Sequence, residues 1–111
     1  MATVRGGKDY SQVLAVGSEG PVASLTETTI LSFTDIVRRR ITKISCSGDV
    51  VSMWNFYIDS VLFDIKRGPD RNVELNFDWP LMLDETLTLD VKVTHAKISE
   101  TPTFNVTVYG Y

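Results

Sequence analysis

One segment near the C-terminal end of the chain constrains the fold more than any other. From Thr86 to His95, Leu87, Leu89, Val91 and Val93 alternate with Thr86, Thr88, Asp90, Lys92 and Thr94. Side chains of an extended strand point alternately to its two faces, so this segment has one buried face and one wet face. The pattern predicts a strand in a sheet that covers a core on one side only.

Weaker versions of the same alternation recur along the chain, separated by turn-forming residues. The loop Gly68–Asn72 and the turn candidate Asp59–Ser60 are the clearest separators, and residues 34–40 have room for one helical turn at most. Further strands are predicted near residues 27–33, 42–46, 53–58, 61–65, 73–77 and 103–109. About seven short strands and no convincing helix predict an all-β fold, an antiparallel β-sandwich of jelly-roll-like type.

Trp79 and Pro80 mark the end of the strand predicted near residue 77. Proline cannot donate a ladder hydrogen bond, so we expect the strand to stop there. Trp79 continues the phase of Val73, Leu75 and Phe77, which predicts that its ring packs in the core or at the end of the sheet.

The first residues differ from the rest of the chain because glycine and proline punctuate them. We predict an extended N-terminal arm over residues 1–23, with one short strand at most, and a β-sandwich domain over residues 24–111. Such an arm is either a disordered tail or a segment that pairs with a neighbouring subunit. The residues do not choose between these alternatives.

Composition narrows the class of protein. The 111 residues include 43% hydrophobic and 23% charged residues, which is typical of one soluble domain with its own core. A net charge of −3 disfavours a nucleic-acid partner. Cys46 is the only cysteine, and the N-terminus lacks the apolar core of a signal peptide, so we expect folding in a reducing cytoplasm and no membrane association.

Few residues of this chain are suited to catalysis or metal binding. His95 is the only histidine, and its place at the end of the alternating strand predicts a solvated side chain rather than a general base. One histidine and one distant cysteine do not form a zinc site, and no calcium-binding loop pattern is present. We therefore expect no enzyme activity and no cofactor.

The candidate functional residues are instead ones suited to contacts with a partner. A cluster of three consecutive arginines precedes a predicted strand, a mixed-charge loop holds two more, and three tyrosines lie on the polar phase of their strands. Tyrosines on the exposed face of a sheet either stack on sugars or anchor a protein interface. The predicted partner-binding residues are Arg38, Arg39, Arg40, Tyr57, Arg67, Arg71, Tyr109 and Tyr111.

The segments from Ile41–Ile44 through Val73–Phe77 and Val91–His95 to Phe104–Tyr111 resemble small β-sandwich virion proteins of tailed bacteriophages. In overall style the chain is similar to capsid decoration (cement) proteins. The resemblance covers the C-terminal two-thirds of the chain and contains no diagnostic motif.

This resemblance implies a structural role in a virion. The expected function is that of a capsid decoration protein that binds the major capsid protein, forms a homo-oligomer (a trimer is favoured), and stabilises the outer surface of the shell after synthesis in the bacterial cytoplasm. Two other functions stay open from the residues alone: a carbohydrate-binding module, suggested by the tyrosines, and a tail or baseplate adaptor.

Overall fold

The computed structural model describes residues 11–68, 70–98 and 100–111. These residues form eight strands and, within the described ranges, no helix. The strands are β1 (Gln12–Glu19), β2 (Thr28–Thr34), β3 (Arg39–Gly48), β4 (Met53–Ile58), β5 (Val61–Arg67), β6 (Val73–Leu83), β7 (Thr88–Thr94) and β8 (Phe104–Gly110).

The strands form two antiparallel four-stranded sheets. The first sheet has the order β1-β8-β3-β6, and the second has the order β2-β7-β4-β5. The pairs β1–β8, β2–β7, β3–β6 and β4–β5 are nested one inside the next, which is the connectivity of a jelly roll. The all-β sandwich predicted from the alternating segments is confirmed.

The predicted hairpin between β4 and β5 is also confirmed. Asp59 and Ser60 both have positive φ angles, 48° and 68°, as two-residue hairpin turns require when their twist matches that of the strands. The carboxylate of Asp59 accepts a hydrogen bond of 2.9 Å from the backbone N–H of Thr88, which ties this turn to the start of β7.

The core lies between the two sheets and is built from the apolar phase of the strands. Trp54 of the second sheet and Phe104 of the first meet edge to face, with ring centroids 5.6 Å apart. Both rings are almost fully buried, and burying a large apolar side chain stabilises the folded state by about 1.5–3 kcal/mol. This contact joins the two sheets near the end of the sandwich where β4 and β8 begin.

The two long sides of the sandwich are closed to different extents. On one side, β1 packs closely against β2 because Gly17 has no side chain: a Cβ there would collide with the carbonyl oxygen of Ile30 and lie 2.8 Å from Cβ of Leu31. On the other side, β5 and β6 are the last strands of their sheets and make only sparse contact with each other. The sandwich is therefore tight along β1–β2 and open along β5–β6.

Part of the segment predicted as an arm is a strand of the sandwich. β1 pairs with β8 of the same chain, from Gln12 opposite Gly110 to Glu19 opposite Phe104. This pairing satisfies backbone groups along the outer edge of β8 that would otherwise have no partner in the sheet. Residues 1–10 lie outside the described residues, so the idea that an arm reaches a neighbouring subunit stays a prediction.

β6 runs past the point where the sequence predicts its end. Between the pairs Ile41–Leu81 and Lys43–Asn76, β3 has one residue, whereas β6 has residues 77–80. The additional residues form a large bulge, after which pairing resumes as far as Leu83. Pro80 is accommodated because β6 is an edge strand, where a missing N–H leaves no neighbouring strand unpaired.

Candidate functional site

The arginine cluster is largely occupied by contacts within the chain. Nε of Arg38 lies 2.9 Å from Oδ1 of Asp84, and Nε of Arg39 donates a 2.7 Å hydrogen bond to Oδ2 of Asp35. The hydrogen bond from Arg39 holds the pKa of Asp35 below its usual value. These carboxylates offset two of the three positive charges, so the cluster is not a free cationic patch.

The three predicted tyrosines lie on opposite sheets. Tyr109 and Tyr111 belong to the C-terminal strand of the first sheet and its extension, where Nζ of Lys43 lies 4.5 Å from the centroid of the Tyr109 ring. The guanidinium of Arg40 lies 5.6 Å from the centroid of the Tyr111 ring. Tyr57 lies on the outer face of the second sheet, so the predicted aromatic residues do not form one surface.

Tyr57 is held by a small polar network. Its hydroxyl donates a 2.6 Å hydrogen bond to Oε2 of Glu27, which also accepts a 2.7 Å bond from Nδ2 of Asn55. The ammonium of Lys92 lies 4.8 Å from the centroid of the Tyr57 ring. The bond from Tyr57, more than the other contacts, lowers the pKa of Glu27, and the same bond raises the pKa of Tyr57.

The remaining predicted residues lie at the end of the sandwich away from the arginine cluster. Arg67, at the end of β5, approaches Sδ of Met53 at 3.4 Å and borders a shallow, mainly apolar depression with Leu25 and Val51. Arg71 borders a second depression lined by charges of both signs, Asp49, Asp70, Lys97 and Glu100. The eight predicted residues are thus spread over several separate places on the surface.

The prediction that His95 is a solvated side chain is wrong. Its side chain is only 2% exposed and packs beside Phe104, with ring centroids 5.8 Å apart. Nε2 donates to the carbonyl of Val22 at 2.8 Å, and Nδ1 accepts from the backbone N–H of Lys97 at 3.2 Å. Both ring nitrogens therefore bind the loops that flank β2 and β7. His95 continues the buried phase of Leu89, Val91 and Val93, and the chain before β2 folds over it. The prediction gave too little weight to this phase because histidine is a polar residue at the end of the strand.

The prediction that Trp79 packs in the core is also wrong. The β6 bulge shifts the phase of the strand, and the side chain of Trp79 is 87% exposed. An exposed indole of this size is uncommon, since large aromatic side chains usually bury most of their surface. Pro80 was the sequence signal available here, because a proline in a strand favours a bulge or an edge position.

Further exposed apolar side chains lie on the same side of the sandwich as Trp79. We call this surface the open side and define it by exposed residues of the two edge strands that border it. They are Val61, Leu62, Phe63 and Ile65 of β5, and Trp79 and Met82 of β6. Monomeric soluble proteins rarely expose large apolar patches, and those that do commonly use them to bind other proteins. The open side is therefore the best candidate for a functional site.

β5 distributes its polar and apolar residues in the reverse of the usual way. Ile65 lies opposite Asn55, on the outer face of the sheet, whereas Asp64 and Lys66 lie opposite the core residues Phe56 and Trp54. Charges thus occupy the inward phase of an edge strand, a feature that discourages unspecific edge-to-edge pairing. In the sequence, the sign of this departure was three consecutive apolar residues, 61–63, which do not alternate with polar ones.

Neither a grouped metal site nor a membrane-spanning helix occurs in the described part of the chain. No three histidine, cysteine, aspartate or glutamate side chains of the described residues are grouped as a metal site. The same residues include no helix long and apolar enough to span a membrane.

Comparison with known proteins adds no relative. A scan against protein-family models, a search of curated proteins and a search of solved structures each find no match to this chain.

Proposed function

We propose that this chain is a non-enzymatic structural protein of a tailed-bacteriophage virion, and that it acts as a capsid decoration protein. In this role it binds the major capsid protein on the outer surface of the shell and stabilises the shell against rupture. The observation that carries the proposal is the open side, where a sandwich with a well-packed core leaves six large apolar side chains exposed on two edge strands.

Trp79 is the contact that we assign to the capsid protein. Trp79 lies in the β6 bulge and is 87% exposed, and Met82 is exposed on the same strand. Tryptophan and methionine are enriched at protein interfaces, and tryptophan is among the residues whose removal most often weakens binding. A small docking contact suffices on a shell, because many copies bind to a repeating array.

Binding to empty shells tests this function. Shells are assembled from the major capsid protein encoded in the same genome, mixed with the purified protein and sedimented. We expect the protein to sediment with the shells at a fixed saturating ratio and to raise the temperature at which they rupture. Shells that neither bind the protein nor gain stability would contradict the proposal.

A pair of variants locates the docking contact. Trp79→Ala should weaken binding by about thirtyfold, which corresponds to the ~2 kcal/mol typical of an interface tryptophan. Val16→Ala is the matched control, because Val16 is an exposed apolar residue of an edge strand on the opposite side of the sandwich. Equal binding by both variants would remove Trp79 from the interface.

A carbohydrate-binding module is the second candidate function. The observation that favours it is again Trp79, whose open ring is suited to stacking on a sugar, whereas a cation lies over each of Tyr57, Tyr109 and Tyr111. A glycan array in which the protein binds and Trp79→Ala does not, together with no binding to shells, would favour this function. Sedimentation with isolated tails instead of shells would favour a tail or baseplate adaptor.

A further inference from the structure

The free edge of β5 has a charge pattern that complements itself. β5 pairs with β4 on one side only, and no described strand pairs with its other edge. Along this edge the sequence Asp64–Ile65–Lys66 places one negative and one positive charge on either side of an isoleucine that is 48% exposed. Oδ1 of Asp64 accepts a 2.8 Å hydrogen bond from the backbone N–H of Ile65, a local contact that pairing with another strand would replace. A strand edge without a neighbouring strand is a template for another strand, and opposite charges facing each other across the new pair stabilise it.

Only one antiparallel register of β5 with a second β5 uses this complementarity. When the two-fold axis passes between the two copies of Ile65, Asp64 of each copy faces Lys66 of the other, and the two isoleucines face each other. An axis at Asp64 would bring two carboxylates together, and an axis at Lys66 would bring two ammonium groups together. Like charges directly opposite each other destabilise a strand pair, so the register at Ile65 is selected over its neighbours.

We propose that two copies of this chain pair through β5 in this register and form a two-fold dimer with a continuous eight-stranded sheet. The contact is isologous: each copy contributes the same strand, and the assembly closes at two copies. Leu62, which is 45% exposed on the outer face of the second sheet, adds apolar surface near the junction. The dimer contact is along β5, whereas the contact assigned to the capsid protein is Trp79 of β6, so variants of the two strands test the two proposals separately. A dimer differs from the trimer that the resemblance implies.

A charge-swap experiment with the full chain tests this interface. The mass in solution is measured by light scattering behind a sizing column. We expect twice the chain mass of 12.4 kDa for the unchanged protein, and the chain mass for Asp64→Lys and for Lys66→Asp, because each variant sets like charges opposite each other. An equimolar mixture of the two variants should restore the dimer mass. In the mixed dimer, β5 of the first variant has lysine at positions 64 and 66, and these lysines face the aspartates at the same two positions of the second variant.

Two additional variants make the test decisive. Glu19→Lys alters an exposed charge on the edge of the other sheet, so its mass should stay that of the dimer. The double variant Asp64→Lys/Lys66→Asp restores opposite pairing in one chain and should be dimeric even if a single variant folds poorly. A monomer or trimer of the unchanged protein, dimers of both single variants, or a folded monomeric double variant would each overturn the proposal.

Discussion

Replacement of His95 is the sharpest test of how the sandwich is held together at one end. His95→Ala removes the donor to the carbonyl of Val22, 2.8 Å away, and the acceptor for the N–H of Lys97, 3.2 Å away. It also removes a ring that packs against Phe104 in a site where the side chain is only 2% exposed.

The expected loss follows from these contacts. A buried polar group that loses its partner costs about 1–3 kcal/mol, and Val22 is itself buried, so water does not readily replace the imidazole. Removing a buried ring adds a packing loss of a similar size, moderated because the end of the sandwich is free to relax. We expect His95→Ala to lower the free energy of unfolding by about 3 kcal/mol, a large part of the stability of a domain of this size.

Urea unfolding followed by tryptophan fluorescence measures this loss directly. Lys97→Ala is the control, because it keeps the backbone N–H that binds His95 and alters only an exposed side chain, and it should change the stability by less than about 0.5 kcal/mol. A midpoint for His95→Ala equal to that of the control would refute the reasoning and would mean that His95 is solvated in solution.

Three further predictions concern the hydrogen-bonded Tyr57, the buried Cys46 and the exposed Trp79. The hydrogen bond to Glu27 raises the pKa of Tyr57. The bond therefore contributes to stability at neutral pH, and this contribution is lost as the pH rises through the raised pKa. Glu27→Gln should shift the tyrosine absorbance titration to lower pH. Burial raises the pKa of the Cys46 thiol to about 12, so a thiol reagent should fail to label the native protein at pH 8 yet label it fully in denaturant. Acrylamide should quench the part of the tryptophan fluorescence that comes from exposed Trp79 in the native protein. Trp79→Phe should abolish this quenching, because the remaining tryptophan, Trp54, is buried. Equal quenching of the two proteins would contradict the exposure of Trp79.

The fold class was predictable because its signal is local. Period-two alternation in β7 and β8 sorts side chains between a buried and a wet face, whatever strand lies beside them. The hairpin at Asp59–Ser60 was predictable for the same reason, since the turn depends on the two residues that form it. None of these signals contains the order of the strands, which depends on pairings between residues far apart in the chain.

The candidate site was missed because it depends on those distant pairings. Whether Trp79 is buried depends on how β6 pairs with β3, and the bulge that exposes it is visible only in the register of that pair. Whether Ile65 faces the core or the outer side depends on how β5 pairs with β4, whose register shifts between Phe56 and Tyr57. The residues predicted to bind a partner were selected for charge or aromaticity alone, and most of the described ones have contacts within the chain that this criterion does not include.

The asymmetry between the two long sides links the fold to the proposed interfaces. Gly17 allows β1 and β2 to close one side, so that side offers no wide apolar gap. No equivalent contact closes β5 against β6 in the described residues, and both strands keep exposed apolar side chains. None of these side chains belongs to the buried core that surrounds Trp54 and Phe104. The two proposed interfaces would cover these side chains: a capsid protein at the β6 bulge and a second copy of the chain along β5.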